Sequence, residues 1–224
     1  VYKENIEAVK YLEARHLRLS QVKAIDIPAL FNQNNIPYNS IDVINWHAFP
    51  YCPKVEFAIA HTGDTILLHY RVEEDGVRAV AGEDLGHVWE DSCCEFFASP
   101  DADGSYYNLE SNCIGTILLC NGKGREERIQ APLSALKKID RWASLGRKVI
   151  GLDEKAHQWE LSLVIPVSVF FRHKISNLSG LIIHGNFYKC GDKTAHPHFL
   201  SWNPIDIPSP DFHRPDFFGE IKFL

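Results

Sequence analysis

Trp89, Glu90, Asp91 and Glu95 form the stretch of this 224-residue chain best suited to chemistry, an indole followed closely by three carboxylates. Two carboxylates facing each other across a cleft can serve as the acid and base of glycoside hydrolysis. If residues 92–99 form a strand, Asp91 and Glu95 project to the same side of it, which allows that pairing; carboxylates solvated at a strand edge are the plainer account. Trp89 sits just before the apolar run rather than within it. An indole there either caps the core or offers its face to a pyranose, whose C–H surface stacks on aromatic rings while its hydroxyls seek charged and amide partners.

Other patterns carry less. Ser, His and Asp are present without the G-x-S-x-G elbow or any spacing that fixes a nucleophile beside a base, so a hydrolytic triad is not indicated. His196-Pro-His198 puts two imidazoles on one side of a strand, as in a metal pair, but no third ligand follows at a matching spacing, and a surface or hydrogen-bonding role suits them better. Asp101-Ala-Asp-Gly104 lacks the further acid and the twelfth-position Glu of a calcium loop, and Asn121-Gly-Lys-Gly124 lacks the rest of a phosphate loop; both read as turns. The six cysteines include no C-x-x-C pair, which removes the usual zinc and redox signatures. Cys93 and Cys94 are neighbours in an apolar run and read as small strand residues, one on each face.

A sheet must hold these residues. Val55, Phe57 and Ile59 alternate with Glu56, Ala58 and Ala60, and after a turn at 61–65 the alternation resumes with Ile66, Leu68, Tyr70 and Val72, predicting a hairpin with one buried face. The same pattern recurs at 92–99, 106–111, 115–121, 126–130, 159–165, 181–189, 198–202 and 219–224. Many short strands separated by turn residues predict an all-β sandwich or barrel. Ile6, Val9 and Leu12 have helical spacing and predict a short amphipathic helix over residues 5–14, packed on the outside. Four prolines between 204 and 215 mark a loop before the last strand, the kind of segment that binds ligands on a rigid scaffold.

With 45% hydrophobic content, a chain of this length can bury one sizeable core. A net charge of −6 without any basic run argues against a nucleic-acid partner. No stretch approaches the roughly 20 apolar residues that span a bilayer, and the charges within residues 1–10 fall where the apolar segment of a signal peptide would lie.

Two stretches go further: Val88-Trp-Glu-Asp-Ser-Cys-Cys-Glu-Phe-Phe97, and Leu200-Ser-Trp202 followed by Phe212-His-Arg-Pro-Asp-Phe-Phe-Gly-Glu-Ile-Lys-Phe-Leu224. Together they resemble the family 9 carbohydrate-binding modules attached to xylanases and related glycan-degrading enzymes: the first is similar to that family's W-E-x-D-S-V-E-x-F strand, the second to its I-S-W and closing R-x-P-x-x-F-G-x-L. Tyr106-Tyr-Asn-Leu-Glu-Ser-Asn112 occupies the place of the family's next strand. The resemblance covers residues 46–224 and leaves 1–45 as an N-terminal extension packing on the sandwich.

It implies an immunoglobulin-like antiparallel β-sandwich that binds glucose or xylose units, or the ends of glucan and xylan chains, without cleaving them. A mono- or oligosaccharide ligand, a glycan-degrading enzyme as partner and an extracytoplasmic setting are its further implications. The family clamps a sugar between two tryptophans. Trp89 matches the first and Phe212 falls where the second would be, while Glu95 matches the carboxylate that accepts from sugar hydroxyls. Asn108 falls near the family's sugar-binding arginine, an amide in place of a guanidinium fork; Arg214 is either the missing cation or an ordinary solvated arginine. Trp202 follows an apolar strand end and reads as core. No cofactor is implied beyond a structural calcium, for which the sequence names no ligands.

Overall fold

The computed structural model describes residues 9–224. Its strands follow in chain order as β1 (Tyr11–His16), β2 (Asn39–Ser40), β3 (Val43–Ile44), β4 (Lys54–His61), β5 (Thr65–Ala79), β6 (Cys93–Ser99), β7 (Tyr106–Asn112), β8 (Ile117–Gly122), β9 (Ile129–Gln130), β10 (Asp140–Ala143), β11 (Ile150–Pro166), β12 (Ile182–Cys190), β13 (Phe199–Ser201) and β14 (Gly219–Phe223). Two short helices, α1 (Ile27–Gln33) and α2 (Leu133–Leu136), lie between them.

One layer runs β10-β11-β5-β4 with β2 beside β4, and the other runs β14-β12-β6-β7-β8-β9 with β13 beside β12 and β3 beside β13. All of these pairings are antiparallel. The first strand is the exception. Its Tyr11–Ala14 part lies parallel to β14 in one layer, and Arg15 and His16 lie parallel to the end of β4 in the other. It thereby satisfies unpaired backbone groups on an edge of each layer and joins them into one curled, immunoglobulin-like β-sandwich.

The short N-terminal helix is α1 rather than the predicted one. Residues 1–8 lie outside the described residues, and Tyr11 to Ala14, expected at the end of that helix, are extended. Leu12 and Ala14 alternate inward along β1 while Tyr11 and Glu13 face out. From Tyr11 onward, two sheet edges needing partners outweigh the helical spacing that had included Leu12. In α1, Ile27 and Phe31 sit one turn apart and are both fully buried, and Pro28 occupies the first turn, where its missing N–H costs no hydrogen bond.

Strand alternation divides the β6–β8 and β12 layer into two functions. Cys94, Phe96, Ala98, Tyr107, Leu109, Leu119, Ile183 and Phe187 point inward and close the core against the other layer. The Phe187 ring stacks on Phe57 of β4 at 3.7 Å between centroids and on Phe96 at 4.8 Å. Trp202 lies in the same core at 3% exposure, as its sequence context predicted. The neighbouring positions Cys93, Phe97, Tyr106, Leu118, Cys120, Tyr188 and Cys190 belong to a second cluster on the opposite face. Cys93 and Cys94 thus face opposite ways, as expected.

Lys189 shares the inward parity of Phe187 and is completely buried. Its ammonium pairs with Glu74 of β5 at 2.9 Å and donates to His198 Nε2 at 2.8 Å and to the Cys190 carbonyl at 3.0 Å. Glu74 in turn accepts from the Trp159 indole at 2.8 Å. His198 therefore has the hydrogen-bonding role expected for it, and burial next to Lys189 holds its imidazole well below the usual histidine range.

Candidate functional site

The outward face of β6, β7, β8 and β12 forms the floor of a cleft of about 440 Å³, the size range of small-molecule sites. Its polar floor positions alternate with the core positions just described. Glu95 on β6 lies directly opposite Glu110 on β7 and Tyr188 on β12, and Phe97 lies opposite Asn108. Loops supply most of the walls: Leu85, His87 and Trp89 on one side, Arg125, Glu126 and Arg128 on another, then Asp192 and residues 210–213, with Phe199 at the start of β13.

Four of the five residues expected to bind are assembled here. Trp89, Glu95, Asn108 and Phe212 all line the cleft. Trp89 stands in a short 3₁₀ turn (Val88–Glu90), half-buried, with its ring stacked on His87 at 4.4 Å. Phe212 is held more tightly, at 9% exposure, with its ring parallel to Tyr188 at 4.2 Å. Arg214 is placed elsewhere: it pairs with Asp216 two residues on and lies over the Phe217 ring, and it does not line the cleft.

Arg128, which the sequence reading passed over, is the guanidinium beside Asn108. Its Nε donates to Asn108 Oδ1 at 2.9 Å, Nη1 to the Gly124 carbonyl at 2.7 Å and Nη2 to the Tyr106 carbonyl at 3.0 Å, with the whole group 4.3 Å above the Tyr106 ring. An arginine carries five N–H donors, so this arrangement leaves it further donors. The chain of bonds continues as Asn108 donates through Nδ2 to Glu110 Oε1 at 2.8 Å. Glu110 was also missed, although it sits two residues beyond Asn108 on the same strand and so on the same face. Nothing local marks Arg128: it reaches the floor only because the segment between β8 and β9 folds back over it.

The two floor carboxylates are buried and mutually repulsive. Glu95 is pushed well above the usual carboxylate range by burial, then by Cys190 and Glu110, and its Oε1 accepts from the Cys190 thiol at 3.0 Å. Burial raises Glu110 from 4.5 to about 7, against the lowering effect of Asn108 and Arg128. Its Oε2 is buried without a hydrogen-bond partner among the described residues, and the residue lines the cleft. Asp192 at the rim is raised to about 6 by burial and by Glu90. Two carboxyls directly opposite in a buried sheet position cannot both ionise without repulsion, so this floor costs the fold as pH rises and they lose their protons.

That cost is measurable. As pH rises, an unfolded Glu ionises near 4.5 while Glu110 in the folded chain holds its proton to about 7, so its contribution to stability falls across that window. A shift of this size corresponds to on the order of 3 kcal/mol. Glu110→Gln keeps the acceptor for Asn108 and removes the charge. The expected outcome is a variant more stable than wild type in denaturant titrations at pH 8, with the gain vanishing as pH falls through 4.5; equal stability at both pH values would contradict this account of the floor.

The Asp91–Glu95 acid/base pair is not brought together. Asp91 is fully buried away from the cleft lining, pairing with Arg78 and accepting from Val80 N at 3.1 Å, Ala81 N at 3.0 Å and Asn112 Nδ2 at 2.9 Å. It fastens the loop that carries Trp89. Among the described residues, the clusters of His, Cys, Asp and Glu able to hold a metal are Cys93–Glu95–Cys190 and Asp101–Asp103–His173. Both mix sulfur or nitrogen donors with carboxylates, so neither is the all-oxygen cage that calcium takes. No helix of the described residues is long and apolar enough to cross a membrane.

Three comparisons bear on this geometry. The family model described as carbohydrate-binding family 9 matches residues 25–223. A candidate carbohydrate-binding protein from Bacteroides uniformis is 46% identical, with a TM-score of 0.95 over 97% of this chain and 100% of that one. A family 9 carbohydrate-binding module from Caldicellulosiruptor kristjanssonii, solved with glucose, has a TM-score of 0.62 at 11% identity over 96% of each chain. A family 9 carbohydrate-binding module from the same organism, solved with cellotriose, has a TM-score of 0.61 at 12% identity over 96% of this chain and 93% of that one. No curated protein matches.

Proposed function

The chain belongs to carbohydrate-binding family 9, and from that premise we propose that it binds a mono- or oligosaccharide in the cleft over β6, β7 and β8 without cleaving it. The observation that carries this reading is the pairing of an unpartnered buried acceptor with an accessible indole. Glu110 Oε2 has no partner among the described residues, Glu95 and Asn108 adjoin it, and the half-buried Trp89 ring stands at the wall of the same cleft. A pyranose answers both needs, since its hydroxyls donate to the carboxylates while its C–H face covers the indole.

In this reading Trp89 is the principal stacking platform. Phe212 is a smaller second surface that the Tyr188 stack holds in place. Glu95 and Glu110 accept from hydroxyls. Arg128, rather than Arg214, is the cation of the site, and it also orients Asn108. Family 9 modules of C. kristjanssonii are solved with glucose and with cellotriose, which makes glucose units and β-glucan chain ends the first ligands to try and xylose units the second. A glycan-degrading enzyme is the partner such a module would serve.

Isothermal titration calorimetry with glucose, xylose, cellobiose, cellotriose and xylobiose, run beside an assay for reducing sugar released from glucan and xylan, tests the proposal. Saturable binding without turnover is expected. Turnover lost in Glu95→Gln would replace binding by hydrolysis, and silence in both assays would mean a pocket that no longer takes sugar. Arg128→Ala is expected to weaken binding by roughly tenfold or more, because one change removes a charged donor and frees Asn108 to turn, an effect on the order of 1.5–3 kcal/mol for hydrogen bonds to charged groups. Unchanged affinity in that variant would return Arg128 to a purely structural role.

A further inference from the structure

Three side chains at one end of the cleft floor converge in a way that sugar binding does not require. Cys93 and Cys190 lie directly opposite each other on β6 and β12, and Glu95 is two residues along β6 on the same face. One ligand atom from each, the two Sγ and a carboxylate oxygen, lies within 4.8 Å of the others, and the Cys190 thiol is 3.0 Å from Glu95 Oε1. All three are buried, at 0%, 2% and 2% exposure for Cys93, Glu95 and Cys190. Glu95 and Cys190 also line the cleft, whereas Cys93 stands behind them.

We propose that Cys93, Cys190 and Glu95 form a binding site for a thiophilic divalent cation of the zinc and cadmium type, with its fourth position open to the cleft. A tetrahedral ion bound at about 2.3 Å to sulfur and about 2.0 Å to oxygen needs its ligands about 3.5–3.8 Å apart, within the spread of this cluster. Two sulfurs and one oxygen favour a borderline or soft ion over calcium or magnesium. Three protein ligands with an exposed fourth position is the pattern of an accessible zinc site, not a sealed structural one. On binding, each thiol and the Glu95 carboxyl release their protons to solvent and a lone pair from each sulfur and from the carboxylate oxygen forms a bond to the ion, so no oxidant or reductant is involved. The strands that hold the ligands are fixed by the sheet, so little ordering is required.

The carboxylate oxygen that Glu95 gives to the ion is withdrawn from sugar hydroxyls, while its other oxygen keeps its lone pairs. The formation of the site itself does not rest on the sugar reading, and its failure is distinguishable from the failure of that reading.

The experiment is titration of the reduced full-length chain, freed of reductant, with Cd²⁺, following the ultraviolet thiolate-to-metal charge-transfer band and the cadmium NMR resonance of wild type. A one-to-one band and a resonance position characteristic of two sulfur ligands are expected. Cys93→Ser and Cys190→Ser should each weaken binding by at least about a hundredfold, more than the 10–100-fold typical of losing an outer-shell partner. Cys52→Ser, outside the cleft lining, should leave it unchanged. Absence of the band in wild type, an all-oxygen NMR position, or a band that survives in the Cys93→Ser/Cys190→Ser double variant would overturn the proposal. Because the wild-type readouts need no variant, a serine variant that fails to fold does not decide the question.

Discussion

Trp89→Ala is expected to lower sugar affinity by at least about 30-fold while leaving the thermal midpoint nearly unchanged, since loss of a central aromatic anchor typically costs about 2 kcal/mol or more. The separation of the two effects follows from where the residue sits. The backbone of its 3₁₀ turn is held independently of the ring: the Trp89 carbonyl accepts from Asp192 N at 3.3 Å, and Asp91 fastens the loop through four partners. The ring itself is half-buried and stacks on His87. Removing it takes away a surface for a ligand, not a piece of the core. Phe212→Ala would be a poor substitute for this experiment. That ring is 9% exposed and packs against Tyr188, Trp46 and Phe199, so its loss would cost about 3–5 kcal/mol of stability and confound any change in binding. Wild-type-like affinity in a folded Trp89→Ala chain would mean the indole is not part of the site.

Lys189→Met is expected to destabilise the fold by about 3–5 kcal/mol, because it leaves the Glu74 carboxylate buried without its counter-charge. Burial acts to lower the Lys189 ammonium, and Glu74 together with Cys94 and Cys190 more than offsets it, so the group stays charged inside the sandwich. The ammonium also holds His198 and the Cys190 carbonyl, linking the core to the strand whose other face is the cleft floor. Replacing both members, Lys189→Met with Glu74→Leu, should recover much of the loss, since a buried pair exchanged for apolar groups of similar volume is often near neutral. The recovery will be incomplete because Trp159 loses its acceptor. Chemical denaturation of the single and double variants measures both terms, and a single variant within about 0.5 kcal/mol of wild type, the range of ordinary surface changes, would show the network to be dispensable.

The contrast between these residues explains how much of the molecule was legible in its sequence. Strands β4, β6, β7, β12 and β14 carry their own alternation, and the layer they build follows from it. Short strands such as β2, β3 and β10, and the outer parts of β5 and β11, exist because partners distant in sequence run beside them, and their own residues carry no clear period. The first strand is the extreme case, since its pairing with two layers places Leu12 in a strand where its spacing alone predicted helix. The site divides in the same way. Trp89, Glu95 and Asn108 lie on or beside strands whose faces could be counted, and Glu110 was reachable by the same counting. Arg128 was not, because a loop's return over a sheet leaves no mark on local spacing. Arg214 was drawn by nearness in sequence to Phe212, yet its partner is Asp216, two residues away.

Sugar recognition by this cleft is tested most directly by following intrinsic tryptophan fluorescence during titration with cellotriose and xylobiose, in wild type and in Trp89→Phe. Trp89 is the one indole of the chain's five that lines the cleft, so a bound sugar should perturb it first. The account predicts a saturable change in wild type that is largely lost in Trp89→Phe. A flat wild-type response to both sugars, or a response that persists undiminished without the Trp89 indole, would contradict it.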